Sequence, residues 1–206
     1  MRYDLAKDIL QLTAEHLVLV GIAMLAAILI GVPAGILLTR HPGPRQWTLG
    51  LASVMQTVPS LALFGFLIPI PLIGGIGPRT AIVSLVLYAL LPILRNTFVG
   101  IDSVNPAVCE SAIAMGMTDL QLLRLVQLPL AARTILAGIR VATVTTIGTA
   151  TIAAAIGAGG LGVFIFRGLA SVDTAQILAG AIPSALLALL ADGGLGWIER
   201  RLSPAS

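Results

Sequence analysis

The chain has 206 residues, 57% of them hydrophobic and 10% charged, with a formal net charge of +3. A soluble domain carries about 25% charged residues, so polar groups cannot cover a globular surface here and lipid must cover much of it. The 12 cations are dispersed, which argues against nucleic-acid binding, and the single cysteine, Cys109, excludes an internal disulfide and a cysteine-based zinc cluster.

Met1 to Glu15 mixes Arg2, Asp4, Lys7, Asp8 and Glu15. It lacks a cationic stretch running into a short apolar core with a cleavage site, so it reads as mature protein rather than a signal peptide. Residues 1–16 are expected outside the cytoplasm. Roughly 20 apolar residues cross a bilayer as a helix, and five stretches approach that: about Leu17 to Leu38, Leu49 to Ile70 with Pro59 inside, Ala81 to Val99 with Pro92 and Arg95, Ile135 to Ile156, and Ile177 to Trp197. Internal Pro and Gly are tolerable where neighbouring helices satisfy the freed backbone groups. Leu161 to Leu169 is too short to span and reads as interfacial or re-entrant. The fold class is therefore all-α and polytopic, with about five transmembrane helices.

Orientation follows from the placement of cations. Arg40, His41 and Arg45 follow the first span; Arg124 and Arg133, with Arg95 and Arg140 at the margins, follow the third; Arg200 and Arg201 close the chain. The other side holds Arg79, Arg167, Arg2 and Lys7. The first set reads as cytoplasmic, which puts the N-terminus outside and the C-terminus inside. The segment between the third and fourth spans then lies in the cytoplasm.

That segment is polar and jointed. Asn105-Pro106 is a helix start, with Asn as N-cap and Pro at the first helical position. Gly116 permits a turn that residues with a Cβ resist. Thr118 to Gln121 fits a capping box. Leu120, Leu123 and Val126 fit one apolar stripe, and Pro129 is expected to interrupt the second helix before the fourth span. A short helix projecting from a membrane can fit a groove on a partner; an amphipathic linker without a partner is the plainer reading.

Other features have bland readings. The only lysine is Lys7, without the glycine run of a P-loop. Gly157 to Gly162 matches G-x-G-x-x-G, but a dinucleotide site needs a preceding strand and a following acid, so it reads as a turn. His16 and His41 fall on opposite membrane faces and make no metal pair. Gly31 and Gly35 form a GxxxG pair suited to close helix packing. Polar groups inside spans are costly: Gln56, Thr57 and Ser60 in the second span, and Thr145, Thr146 and Thr149 in the fourth, fit either the lining of a solute path or helix packing. Arg95, Asn96 and Asp102 read as end groups at the cytoplasmic border.

Glu110-Ser111-Ala112, three residues, Gly116, nine residues, then Val126-Gln127-Leu128-Pro129 resembles the EAA motif of ABC-importer permeases, with Ser111 for Ala and Val126 for Ile. Arg95 to Ile101, Gly116-Met117-Thr118, Ala137 to Arg140, Ile147 to Ala154, Ile156 to Gly162 and Phe166 to Leu169 resemble the osmoprotectant branch of that family. The resemblance implies a methionine-permease-like fold, with a type-1 permease domain over residues 17–198, a coupling loop over 103–130 and a cytoplasmic tail over 199–206. It implies docking of an ABC ATPase subunit through Glu110, Ser111, Ala112, Ala114, Met115, Gly116, Met117, Thr118, Leu128 and Pro129. The chain would be a transport subunit of the bacterial inner membrane, not an enzyme. It would hold no cofactor, with ATP and Mg bound by the ATPase. The implied partners are an extracytoplasmic binding protein and a second permease copy or paralogue. The implied solutes are quaternary amines such as glycine betaine, choline and carnitine; methionine or another amino acid is the alternative, ahead of a stand-alone secondary transporter, which would show repeats and intramembrane ion groups. Aromatics make up 4% of the chain, too few for the aromatic cage that holds a quaternary ammonium, so tight recognition is expected in the binding protein.

Overall fold

The computed structural model describes residues 5–40, 42–71 and 73–202. They fold as helices, with no strand among the described residues: α1 (Leu5–Arg40), α2 (Pro42–Thr57), α3 (Ser60–Leu67), α4 (Pro78–Asp102), α5 (Pro106–Ala114), α6 (Asp119–Gln121), α7 (Leu128–Ile152), α8 (Gly162–Ser171) and α9 (Thr174–Arg201). A π-helical turn, Leu122–Gln127, joins α6 to α7, and a 3-10 turn, Ala153–Ile156, ends α7. His41 and residues 1–4 and 203–206, named in the sequence reading of topology and ends, lie outside the described residues.

Four helical runs are long and apolar enough to cross a membrane: Ala6–Arg40, Pro78–Asp102, Asp119–Ile156 and Thr174–Arg201. They match the first, third, fourth and fifth expected spans. The second expected span is divided instead, because Pro59, with φ −56 and ψ 134, separates α2 from α3. A proline has no N–H to continue the ladder.

α1, α4 and α7 pack against one another, α9 lies on α7, and α8 folds back on α9. The core between the first three is built from Val20, Ala23, Met24 and Ala27, from Leu85, Ala89 and Ile93, and from Ala142, Ile147 and Ala150. Half of that set is alanine, as expected where close backbone approach replaces the hydrophobic effect as the source of association. The GxxxG pair works the same way. A Cβ on Gly31 would sit 2.8 Å from Ile93 Cγ2, and one on Gly35 would sit 2.6 Å from Thr97 Cβ, so both glycines let α1 touch α4.

The outward faces stay apolar. Leu10, Leu29, Leu51, Phe66, Leu189 and Leu190 are all exposed, and lipid or a partner must cover them. At 1.5 Å per residue, α1 is about 54 Å long, well beyond a hydrocarbon core of about 30 Å. Its C-terminal end therefore overshoots and reaches the segment between α4 and α7.

Candidate functional site

The segment between α4 and α7 is built from local rules. Asn105 Oδ1 accepts from the Ala107 amide at 2.9 Å and starts α5. α5 ends in a Schellman motif: the Gly116 amide bonds the Ile113 carbonyl at 2.9 Å and the Met117 amide bonds Ala112 at 3.2 Å. Gly116 carries φ +85, which that motif requires. Thr118 and Gln121 then form the expected capping box, with the Thr118 amide donating to Gln121 Oε1 at 2.8 Å and the Gln121 amide to Thr118 Oγ1 at 3.4 Å.

The result is a rigid elbow with an exposed tip. Glu110, Ser111, Ile113, Ala114, Met115, Gly116 and Thr118 are exposed, Met117 is half-buried and Ala112 is buried. Met115, at the tip, is 72% exposed. Glu110 has no ion pair among the described residues. Its neighbour Ser111 donates back to the Ala107 carbonyl at 2.7 Å.

The elbow is tied to the membrane part at two places. Arg40, the last residue of α1, donates to the Asp119 carbonyl at 3.1 Å and faces its carboxylate at 3.7 Å. Between these parts lies a cleft of about 460 Å³, lined by Thr39, Arg40, Asp102, Cys109, Asp119 and Gln127 among others. The second tie is the helix itself. Pro129 does not interrupt it: the helix runs unbroken from Asp119 to Ile156. The π-helical turn makes this possible, since Leu128 bonds Leu123 five residues back, and the wider register precedes the proline, which lacks a donor. The wider turn also changes the expected stripe. Leu123 and Leu128 pack on Ile101, Ala131 and Ile135, while Leu120 is exposed and Pro129 faces outward.

Further along α7, a set of charges went unrecognised in the sequence. Arg140 grips Asp192 of α9 in a fork, Nε to Oδ1 at 2.6 Å and Nη2 to Oδ2 at 2.7 Å, and reaches Glu199 at 3.3 Å. Arg133 pairs with the same Glu199 at 3.7 Å. Gly196 makes room: a Cβ there would lie 3.0 Å from Arg140 Nη1. The available signal was Asp192 itself, an acid inside an apolar span, which demands a partner. In the sequence Arg140 reads only as a cation at the cytoplasmic margin.

At the other end of α7, the glycine run is a turn, with Gly157, Gly159 and Gly160 at φ +73, +82 and +77. Two adjacent α1 residues hold it. Glu15 Oε2 accepts from the Gly160 amide at 3.2 Å. His16 is completely buried, and its Nε2 lies 3.1 Å from the Ile147 carbonyl, to which it donates. No group of three or more His, Cys, Asp or Glu suited to a metal ion occurs among the described residues.

The six residues considered for a solute path do not form one cluster. Gln56 and Thr57 are exposed near the end of α2, Ser60 is half-buried at the start of α3, and Thr145 is exposed on α7 with Thr149 half-buried one turn on. Thr57, Thr145 and Thr149 each donate to their own helix, to Val54, Val141 and Thr145. Thr146 is 1% exposed with an unpartnered hydroxyl, so it belongs to the interior of this chain and not to the exposed face of α7.

A bundle of apolar crossing helices with one rigid polar elbow at its end defines a polytopic membrane permease. The chain matches the family described as binding-protein-dependent transport system inner membrane component over residues 14–204, and it belongs to that family. It is 48% identical to a glycine betaine/carnitine/choline transport system permease protein of Bacillus subtilis, over 95% of this chain and 85% of that one. It is 47% identical to a carnitine transport permease protein of Listeria monocytogenes (92% and 84%) and 45% identical to an osmoprotectant import permease protein of Salmonella typhimurium (97% and 92%). Among solved structures, a chain of the MetNI methionine ABC transporter in an inward-facing conformation aligns with TM-score 0.88 at 22% identity, over 99% of this chain and 100% of that one; at that identity the likeness speaks to the fold. The protein is a membrane-embedded transport subunit and not an enzyme.

Proposed function

We propose that this chain is the permease subunit of an ATP-driven importer for quaternary-amine osmoprotectants of the glycine betaine, choline and carnitine group. The observation that carries this is 45–48% identity, over at least 92% of the chain, to permeases named for those solutes. The chain crosses the membrane five times, with α2 and α3 together making the second crossing, the N-terminus outside and the C-terminus inside. Residues 17–198 are the permease domain and 103–130 the coupling loop. The elbow of α5, Gly116 and α6 docks into a separate ATPase subunit that binds ATP and Mg. Its rigid tip and the unbroken helix behind it suit it to pass rigid-body motion from that subunit into α7. A second permease copy or paralogue covers part of the exposed apolar surface. The exposed polar groups Gln56, Thr57 and Thr145, with the half-buried Ser60 and Thr149, then face the solute path between the two.

The test is the reconstituted complex of permease, ATPase and binding protein. Glycine betaine, choline or carnitine is expected to stimulate ATP hydrolysis and uptake, and methionine and other amino acids to leave both at the basal level. Stimulation by an amino acid alone would overturn the assignment of solute and leave the assignment as an importer subunit standing.

A further inference from the structure

α4 carries a cation well inside its apolar run. Arg95 comes seven residues before Asp102, the last residue of the helix. At 1.5 Å per residue that is about 10 Å, and the middle of the helix, at Leu90, is only about 7.5 Å away. The hydrocarbon core reaches about 15 Å to either side of its own middle. Arg95 therefore belongs to the membrane-embedded part and not to its cytoplasmic border, where the sequence alone places it.

Arg95 is exposed, and it has neither an ion pair nor a hydrogen bond among the described residues. Its neighbour Asn96 is already engaged, donating to the Pro92 carbonyl at 2.8 Å. A charge at this depth is costly unless it meets water or a counter-charge.

The helices around α4 fix the side on which Arg95 stands. α1 meets α4 with Gly31 at Ile93 and Gly35 at Thr97, and α7 meets it with Gly138 at Pro92 and Asn96. α1 also reaches α7, where Val32 and Ile36 pack on the cluster that includes Ala131 and Ile135. It thus covers one side of the α4–α7 pair. With about 100° between successive residues, Arg95 falls on the opposite side. The exposed Val141 and Thr145 of α7 fall there too. So does Tyr88, two turns before Arg95, whose carbonyl accepts from Gln56. This is the side that holds Gln56 and Thr145, two of the groups proposed to face the solute path, and Arg95 stands about 10 Å nearer the elbow than Tyr88.

A second copy of this chain offers Arg95 no free carboxylate at that depth. The acids inside α9, Asp192 and Glu199, are held by Arg140 and Arg133. The other acids of the described residues lie toward the start of α1, at the cap of α9, at the end of α4 or in the elbow.

We infer that Arg95 is the cation on the solute path that meets the carboxylate of a zwitterionic solute on its way to the cytoplasm. A guanidinium presents a fork of N–H donors that matches the two oxygens of a carboxylate. Of the solutes in the relatives' names, glycine betaine and carnitine carry a carboxylate beside the quaternary ammonium, whereas choline carries a hydroxyl and a net positive charge. Arg95 therefore favours the first two over choline at the permease itself. The inference rests on the proposed reading of the chain as a quaternary-amine permease.

The first experiment measures uptake in proteoliposomes holding permease, ATPase and binding protein, with each solute saturating the binding protein. A charge-assisted pair is worth about tenfold or more. Arg95→Gln is thus expected to lower uptake of glycine betaine and carnitine about tenfold and to leave choline uptake equal or higher. Arg95→Lys, which keeps the charge without the fork, is expected to fall between. An equal loss for every solute is what a merely structural arginine gives, and it would overturn the inference.

The second experiment needs no choline uptake. Val99 is exposed one turn beyond Arg95 on the same side of α4. In a Cys109→Ser background, Val99→Cys in the full complex in nanodiscs is treated with a water-soluble methanethiosulfonate. Glycine betaine, supplied with the binding protein and ATP, is expected to slow labelling several-fold when Arg95 is present and not in Arg95→Gln. Absence of labelling would mean that lipid or protein covers this side, with Arg95 snorkelling to a headgroup; labelling slowed equally with and without Arg95 would mean that no solute contact is made. Either result overturns the inference. If the complex carries an amino acid and none of the quaternary amines, the solute reading falls by itself. Arg95-dependent protection by that amino acid, which also bears a carboxylate, would then keep the role of Arg95, and its absence would end both.

Discussion

Gln56 and Tyr88 each complete a backbone that a proline has broken. Pro92 has no N–H to offer the Tyr88 carbonyl four residues earlier, and Gln56 Nε2 donates to that carbonyl at 3.2 Å. In return the Tyr88 hydroxyl donates to the Val58 carbonyl, freed where Pro59 ends α2. Two prolines on two helices are thus answered by one pair of side chains. An unsatisfied carbonyl in a hydrocarbon layer is expensive, which accounts for a glutamine and a tyrosine meeting within the membrane-embedded part.

Tyr88→Phe and Gln56→Leu are each expected to destabilise the fold by about 0.6 kcal/mol, and by no more than about 1.7 kcal/mol, the range found for hydrogen bonds between membrane helices. The double variant is expected to cost less than the sum, because both changes loosen the same junction. Unfolding in mixed detergent micelles measures this, and strict additivity would separate the two bonds.

Gly35 and Gly21 lie on one helix and should respond oppositely. A Cβ at Gly35 meets Thr97 at 2.6 Å, whereas one at Gly21 meets nothing within 4 Å. Gly35→Val is expected to cost about 1–3 kcal/mol by overpacking. Gly21→Ala is expected to be neutral or stabilising by up to about 1 kcal/mol, through the better helix propensity of alanine. Thermal unfolding of the purified permease reads both, and a large loss at Gly21 would mean that another chain packs there.

What could be read from the sequence was what local rules decide. The capping box at Thr118 and Gln121, the Asn105 cap, the Gly116 turn and the Gly31–Gly35 contact each depend on residues a few positions apart. What escaped the reading needed a third dimension. Arg140 and Asp192 are 52 positions apart, and nothing local says that α7 and α9 are neighbours. Pro129 reads as a helix stop because its neighbours do not reveal a π-helical turn that accommodates it. Thr146 and Thr149 look alike in sequence, and only the packing of α7 shows that one is buried and the other half-buried. In the second expected span composition measures apolarity, whereas the continuity of the helix depends on Pro59, which separates α2 from α3.

The elbow makes a prediction about conformation rather than space. Gly116 sits at φ +85 with nothing within 4 Å of a notional Cβ. Replacement therefore costs only backbone strain, about 1–2 kcal/mol for a residue with a Cβ, less for asparagine, which tolerates the left-handed region. Gly116→Val is expected to abolish co-purification of the ATPase subunit and uptake while the chain still inserts and stays monodisperse. Gly116→Asn is expected to retain part of both, and Gly116→Asp to lose more than Asn by adding a charge at the tip. Association and uptake left intact in Gly116→Val would rule the elbow out as the dock.

The link between α7 and α9 can be tested by removing charge singly and in pairs. Asp192→Asn leaves the Arg140 guanidinium with Glu199, which it must already share with Arg133. Arg140→Gln leaves Asp192 as an unpaired carboxylate on an apolar helix, and an ion stripped of its partner in such surroundings costs more than losing the pair as a whole. Arg140→Gln is therefore expected to lower the folded fraction more than Asp192→Asn, and the double variant to recover part of the loss. Arg140→Lys keeps the charge but not the fork that meets both Asp192 oxygens, so it is expected to fall between wild type and Arg140→Gln. Size-exclusion profiles of the solubilised permease give the folded fraction for each. If the four variants ranked alike, the pairing would add nothing to the packing of Gly196 against the Arg140 side chain, and α9 would be held by its apolar contacts alone.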